Sequence, residues 1–351
     1  MAYTVIDKPS DYFNTVLYTG NTSNGHEING LDFTPGFVWI KSRNGDAFDH
    51  MLYDVVRTAV SGPFEIRSNK GNAQSTDSSG LVSFDSDGFT LNSGGYVNTG
   101  NFVSWNWKAG GSPSSNTDGS ITSSVSANTD SGFSIVTWTG TGANATVGHG
   151  LGVVPKIIIV KNRNVVTNWI VGGSLIEDVG GSTNNYLLLN ETAGMDSATT
   201  LYASYNTDTI GVKTDANING SNNGMIAYCF AEVKGYSKFG EYAGNGNADG
   251  TFVYTGFKPA FVMVKRYDGA GQGWNIFDNK RDPFNLVDEF LIANSSNAEA
   301  TGGALNLDFL SNGFKFRGTD GGSNTSGSEY IYMCFAENPF VTSTGIPTTA
   351  R

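Results

Sequence analysis

Residues 33–43 read FTPGFVWIKSR, and the phrase returns as GVVPKIIIVKNR at 152–163 and FKPAFVMVKR at 257–266. Each copy is a proline, an apolar run and then a lysine followed closely by arginine. Aligned on Pro35, Pro155 and Pro259, the intervals are 120 and 104 residues, and Lys41, Lys161 and Lys265 keep the same intervals. So do YTGN from Tyr18, WTGT from Trp138 and YAGN from Tyr242. Three independent markers with constant offsets predict one unit written three times.

The far ends agree. VSWNWK at 103–108, AYCFAE at 227–232 and YMCFAE at 332–337 close the copies, each after a turn-rich patch containing Asn. MLYDVVR and NIFDNKR match Asp54 and Arg57 to Asp278 and Arg281, and SDGF at 86–89 matches SNGF at 311–314. The predicted organisation is an N-terminal arm (1–11), units at 12–108, 132–236 and 237–340, a Gly/Ser/Thr-rich linker (109–131) and a C-terminal tail (341–351). The linker leaves the first unit freely placed, whereas EVKGYSKFGEY passes straight from the second into the third. An interval near 100 residues exceeds the roughly 20–50 of a solenoid repeat, so each copy is expected to bury a core of its own.

Within a copy the apolar runs are short, rich in β-branched and aromatic residues, and separated by Gly, Asn and Asp. Proline cannot donate to a sheet ladder and is expected to mark the strand start. Phe261, Met263 and Lys265 then face one way and Val262, Val264 and Arg266 the other, while KIIIVK is apolar on both faces and reads as a central strand. Lys and Arg are expected to return the chain to water, and YAGNGNADG to form a hairpin turn. No helical periodicity is visible. The fold class predicted is all-β: three tandem antiparallel β-sandwich units, immunoglobulin-like or jelly-roll-like.

Charged residues are 15% of the chain and aromatics 12%, with 46 glycines, a profile for a turn-rich β protein rather than a disordered one. The net charge of −11, with no Lys/Arg cluster, argues against nucleic acid and anionic membrane surfaces as partners. No apolar run reaches the roughly 18 residues of a membrane helix, and no secretory signal opens the chain. Cys229 and Cys334 lie in apolar stretches and read as reduced core residues.

Catalysis requires convergent titratable groups. His26, His50 and His149 read as exposed loop histidines. NGNADG at 245–250 begins like a calcium loop but has Gly256 at its twelfth position, and DSDG at 85–88 is a weak cation candidate. Asp54/Arg57 and Asp278/Arg281 read as structural bridges that order the loop after the second strand, the alternative being a ligand-binding ion pair. Trp105 and Trp107 share one face of a strand, and they, Trp169 and Trp274 read as core. No catalytic residue, metal or cofactor is expected.

The phrases YFNTVLYTGN…FTPGFVWIKSR, VSWNWKAGG, AYCFAEVKGYSKFGEYAGNG and YIYMCFAENPF resemble modules of virion structural and tail-fibre proteins of tailed phages of marine bacteria, including cyanophages. The resemblance implies a non-enzymatic virion surface protein of the tail-fibre or appendage type, made in the host cytoplasm, whose partners are other virion proteins and a host surface glycan. A fibre would be a homotrimer. A first unit that starts within about a dozen residues, without a separate anchoring domain or shaft, favours a compact appendage. A capsid decoration protein is the alternative, and a polysaccharide depolymerase, which needs a carboxylate pair across a groove, the second.

Overall fold

The structure is a computed structural model describing residues 3–44, 47–61 and 64–348. Residues 1–2 of the expected arm and 349–351 of the expected tail lie outside the described residues. The chain is all-β and its strand pairings within the sheets are antiparallel. The first large sheet runs Phe13–Thr19, Asn101–Trp107, Phe37–Ser42, Met51–Asp54, Phe64–Arg67, Ser75–Thr76. The third runs Ser237–Ala243, Glu329–Pro339, Phe257–Arg266, Trp274–Asp278, Leu291–Ile292. The second holds the same order in Phe133–Thr139, Gly224–Phe230, Ile157–Asn162, Ile170–Gly172, Asn185–Leu188, and continues beyond it at both ends. In all three, the strand that closes a stretch lies between its opening strand and its proline strand.

A three-stranded sheet faces each large one. The members are His26–Asn29, Gly88–Leu91 and Leu81–Asp85; Ala145–Gly148, Thr209–Val212 and Tyr202–Tyr205; and Phe252–Tyr254, Gly313–Phe316 and Leu307–Leu310. SDGF and SNGF form tight hairpins inside the first and last of these, with Asp85 opposite Gly88 and Leu310 opposite Gly313.

Alternation along the proline strands explains where the cores lie. Val38 and Ile40, Ile158 and Val160, and Val262 and Val264 point into three separate clusters, each between a large sheet and its small one. The other face carries Phe37 and Trp39, Ile157 and Ile159, Phe261 and Met263, and all six enter one further cluster. These strands are apolar on both sides because both sides are buried. In that shared cluster the closing strands supply Trp107, Phe230 and Phe335, whose rings form a triangle with sides of 6.1, 6.0 and 5.6 Å. Phe37 stacks on Tyr228 at 4.2 Å and Phe13 on Phe335 at 5.1 Å.

Several expectations need correction. The first stretch is not freely placed, because its Phe13, Phe37, Trp39, Trp105 and Trp107 are built into the shared cluster. Residues 109–131 are not a linker: Ser114–Asn116 and Ser123–Asn128 extend the second sheet, and Val125 is buried. Ile121, Val125 and Ala127 carry the strand alternation, which the Ser/Thr-rich composition obscured. YAGNGNADG is not a hairpin turn, since the strands it joins belong to different sheets. Pro155 and Pro35 do precede their strands by two residues, but Pro259 sits at a bulge within Phe257–Arg266. Short helices occur at Val55–Ser61 and Ser174–Gly180, each too brief to show periodicity.

Because one aromatic cluster is common to the three large sheets, calorimetry is expected to show a single unfolding transition. Trp107→Ala should lower its stability by about 3–5 kcal/mol without splitting it. Three separable transitions would contradict a shared core.

Candidate functional site

The recurring lysines do not return the chain to water. Lys41, Lys161 and Lys265 are fully buried. They sit on the strand face that looks toward the shared core, at the end where the large sheets meet. Lys161 Nζ donates to the carbonyls of Thr167 at 2.9 Å and Gly71 at 3.0 Å. Lys41 Nζ donates to the carbonyls of Ser42 at 2.9 Å and Ser296 at 3.3 Å, and Lys265 Nζ to Gln272 O at 2.5 Å. Burial pushes each ammonium down to about 8.

Beside each lysine the backbone crosses from one stretch to another. The carbonyl two residues on accepts an amide from elsewhere: Arg163 O from Gln74 N (2.9 Å), Tyr267 O from Met195 N (2.7 Å), Arg43 O from Glu299 N (3.3 Å). First joins second, second joins third and third joins first, so the set closes into a ring. Trp274, paired with Lys265, and its counterparts immediately before the corresponding strands make a second crossing. Trp169 Nε1 donates to Arg67 O at 2.9 Å and Trp274 Nε1 to Leu188 O at 2.8 Å. In the first stretch that place belongs to His50, whose Nε2 lies 3.0 Å from Ile292 O.

His50 is therefore buried and structural, not an exposed loop residue. A carbonyl can only accept, so Nε2–H donates to Ile292; Nδ1 accepts from Trp39 Nε1 at 2.9 Å. That pair of bonds requires the neutral ring, and burial, then Lys41, hold its pKa well below the usual value. His149 is buried as well, with Nε2 3.1 Å from Asn206 O, and His26 is half-buried against Asn98. Trp39 replaces the smaller Ile159 and Met263, so bulk lost from Trp to His on one strand returns on its neighbour.

Asp54/Arg57 and Asp278/Arg281 are fully buried ion pairs with 2.5 Å contacts. Each aspartate also caps the following turn, accepting the arginine's own amide at 2.9 Å. Each takes one donor from another stretch: Tyr228 Oη to Asp54 at 2.9 Å and Trp105 Nε1 to Asp278 at 3.0 Å. Tyr228, Trp105 and Met333 hold the same register against their proline strands, opposite Ile159, Trp39 and Met263. Met333 has no donor. The second stretch, which by the order of the ring faces it, has Gly173 and Ile176 at the places of Asp54 and Arg57. A buried ion pair is present where a donor arrives and absent where a thioether does.

A buried asparagine ties the end of each stretch to its start. Oδ1 of Asn98, Asn219 and Asn324 accepts the amides of Asn21, Thr141 and Asn245 at 3.0, 2.9 and 3.0 Å. Their Nδ2 groups donate to the carbonyls of Ser23, Ala143 and Asn247 at 2.9, 2.7 and 2.9 Å. This accounts for YTGN, WTGT and YAGN: a Cβ on Gly20, Gly140 or Gly244 would meet backbone atoms at 2.1, 2.3 and 2.3 Å.

Cys229 and Cys334 are free and buried, and burial pushes the Cys229 thiol up to about 12. In NGNADG, Asn245 and Asn247 cap their own turns and Asp249 pairs with Lys315 at 2.6 Å. Asp87 of DSDG accepts the amides of Gly30 and Asp32. Among the described residues no group of three or more His, Cys, Asp or Glu is placed to hold a metal ion. Among the described residues, surface clefts include the following two. One, of about 460 Å³, lies between Pro35–Gly36 and the 108–111 and 127–130 segments. The other, of about 400 Å³, lies between Tyr3, the 232–238 turn and Tyr254–Gly256. The sequence singled out neither, because the chain segments that form each are far apart in it.

The chain matches, over residues 8–339, the family described as a domain of unknown function (DUF7483), and it belongs to that family. No curated protein and no solved structure matches it.

Arg57→Ile strands a buried carboxylate and is expected to cost about 3–5 kcal/mol in urea unfolding. Asp54→Gly/Arg57→Ile/Tyr228→Met, which installs the residues of the donor-free seam, should cost less than that single change. A triple variant weaker than Arg57→Ile would break the link between pair and donor. For His50, the unfolded ring gains a proton as pH falls through about 6.5 while the folded ring stays neutral, so stability falls with acid. His50→Gln should reduce the slope of unfolding free energy between pH 6.5 and 5 by up to about 1.4 kcal/mol per pH unit, measured by denaturant titration.

Proposed function

We propose that the chain is three tandem antiparallel sandwich units, related by internal repetition and fused into one rigid body that serves as a non-catalytic virion surface protein of the tail-fibre or appendage type. The observation that carries this reading is the ring of seams. The groups marked in the sequence (Lys41, Lys161, Lys265, Asp54, Arg57, Asp278, Arg281, His50) are buried, and Lys41, Lys161, Asp54, Asp278 and His50 each bond to another stretch. A body built this way holds its surface loops in fixed relation, as a displayed binding or structural part requires. The resemblance of its phrases to virion modules of marine tailed phages supports the location, and the surface clefts supply places for a host glycan. Capsid decoration is the second reading, favoured by the compactness that the shared core imposes.

Antibody labelling of purified virions by electron microscopy tests the location. Gold at the tail, with a handful of copies per particle by quantitative mass spectrometry, is the expected result; tens to hundreds of copies over the head would assign the protein to the shell. Particles without label would refute both, and release of reducing sugar from host polysaccharide would refute the non-catalytic reading.

A further inference from the structure

The three small sheets present corresponding edge strands, and the chain treats them differently. In the first, Glu27 and Asn29 face solvent across from Thr90 and Gly88. In the second, residues 119–121 cover the edge, with Ile121 bridging to Val147 and Ser120 bonded to Thr146. Among the described residues no strand pairs with the third edge, and the corresponding outward residues are Phe252 and Tyr254, 44% and 55% exposed. Edges are ordinarily blunted by charge or covered, as the other two are. The fold does not need aromatic rings at these positions, since Glu27 and Asn29 serve the same strand geometry.

Tyr254 is one wall of the 400 Å³ cleft, and Tyr3 is another. Their hydroxyls are 3.0 Å apart, and Tyr3 Oη also donates to Gly256 O at 3.2 Å. Lys234 Nζ stands 5.0 Å over the Tyr3 ring, and Lys238 pairs with Glu232 at 2.8 Å on the rim. Flat apolar ring faces beside a fixed fringe of hydroxyl, ammonium and carboxylate groups suit a ligand with an apolar ring face and hydroxyl edges. The strand Phe252–Tyr254 is only three residues long, and beyond it Thr255 N and Gly256 N are both spent on Asn312 O, which leaves little ladder for an added peptide strand.

We infer that Phe252, Tyr254 and Tyr3 form a saccharide-binding platform, with a pyranose ring stacked on Tyr254 and its hydroxyls met by Lys234, Glu232 and Lys238. Successive outward residues of a strand are about 6.7 Å apart, so Phe252 supports the next sugar of a chain. The inference rests on the surface-binding reading and names its ligand class.

The test is binding of the full chain, wild type and Phe252→Glu/Tyr254→Asn, to a printed array of bacterial surface polysaccharides. The double variant installs the residues of the first edge; an unchanged thermal melt checks that it folds. Binding by the wild type that weakens at least about tenfold in the variant supports the platform, the scale of losing ring stacking. Equal binding by both proteins overturns the platform while leaving glycan binding intact. No binding by the wild type overturns both. A drop in sedimentation mass in the variant, with binding unaffected, overturns it in favour of a contact between copies of this chain.

Discussion

Everything in this molecule is arranged around three aromatic rings, Trp107, Phe230 and Phe335, that meet at 5.6 to 6.1 Å where three sheets turn their second faces toward one another. A sandwich ordinarily buries one face of each sheet and wets the other. Here the large sheets bury both. Each has a private apolar cluster under its small sheet and contributes to the common one. Removal of that second face from water is a large hydrophobic term, at roughly 25 cal/mol for each Å² of apolar surface. It cannot be collected by one sheet alone, because the facing surfaces belong to the other two.

Burying both faces creates a problem at the ends of the sheets, where loop carbonyls face inward without water. The recurring lysines answer it. Each brings a donor to carbonyls of its own turn, and Lys161 and Lys41 also reach carbonyls of another stretch. Buried charge is costly, and the lowered pKa of all three records that cost. Directional bonds set which sheet meets which, whereas apolar contact alone does not fix register. The Asp–Arg pairs follow the same logic at two of the three contacts: a carboxylate is kept where Tyr228 or Trp105 brings a proton to it, and dispensed with where Met333 does not.

The three stretches differ at a few buried positions and, more widely, at their surfaces. Their interiors share the buried lysine and asparagine and the close-packed glycine, but the Asp–Arg pair of the first and third gives way to Gly173 and Ile176 in the second. Their edge strands carry Glu27 and Asn29, a covering segment, or Phe252 and Tyr254.

Legible from the residues alone were the all-β class, the recurring phrase and the facing of the third proline strand, because period-two alternation and turn residues are local signals. The sequence also marked Lys41, Asp54, Arg57 and their counterparts as recurring positions. It misread the lysines and His50: a lysine after an apolar run looks like an exit to water, and His50 looks like a loop residue, when neither has a visible partner nearby. Their partners lie in other stretches, as with Lys41 and Ser296 or His50 and Ile292. Three facts came from the tertiary arrangement: the sheets share a core, Ser114–Asn116 and Ser123–Asn128 are strands, and Tyr3 meets Tyr254 across a cleft. Those facts depend on which surfaces come together, and a chain's local pattern states that a face is apolar without stating what will cover it.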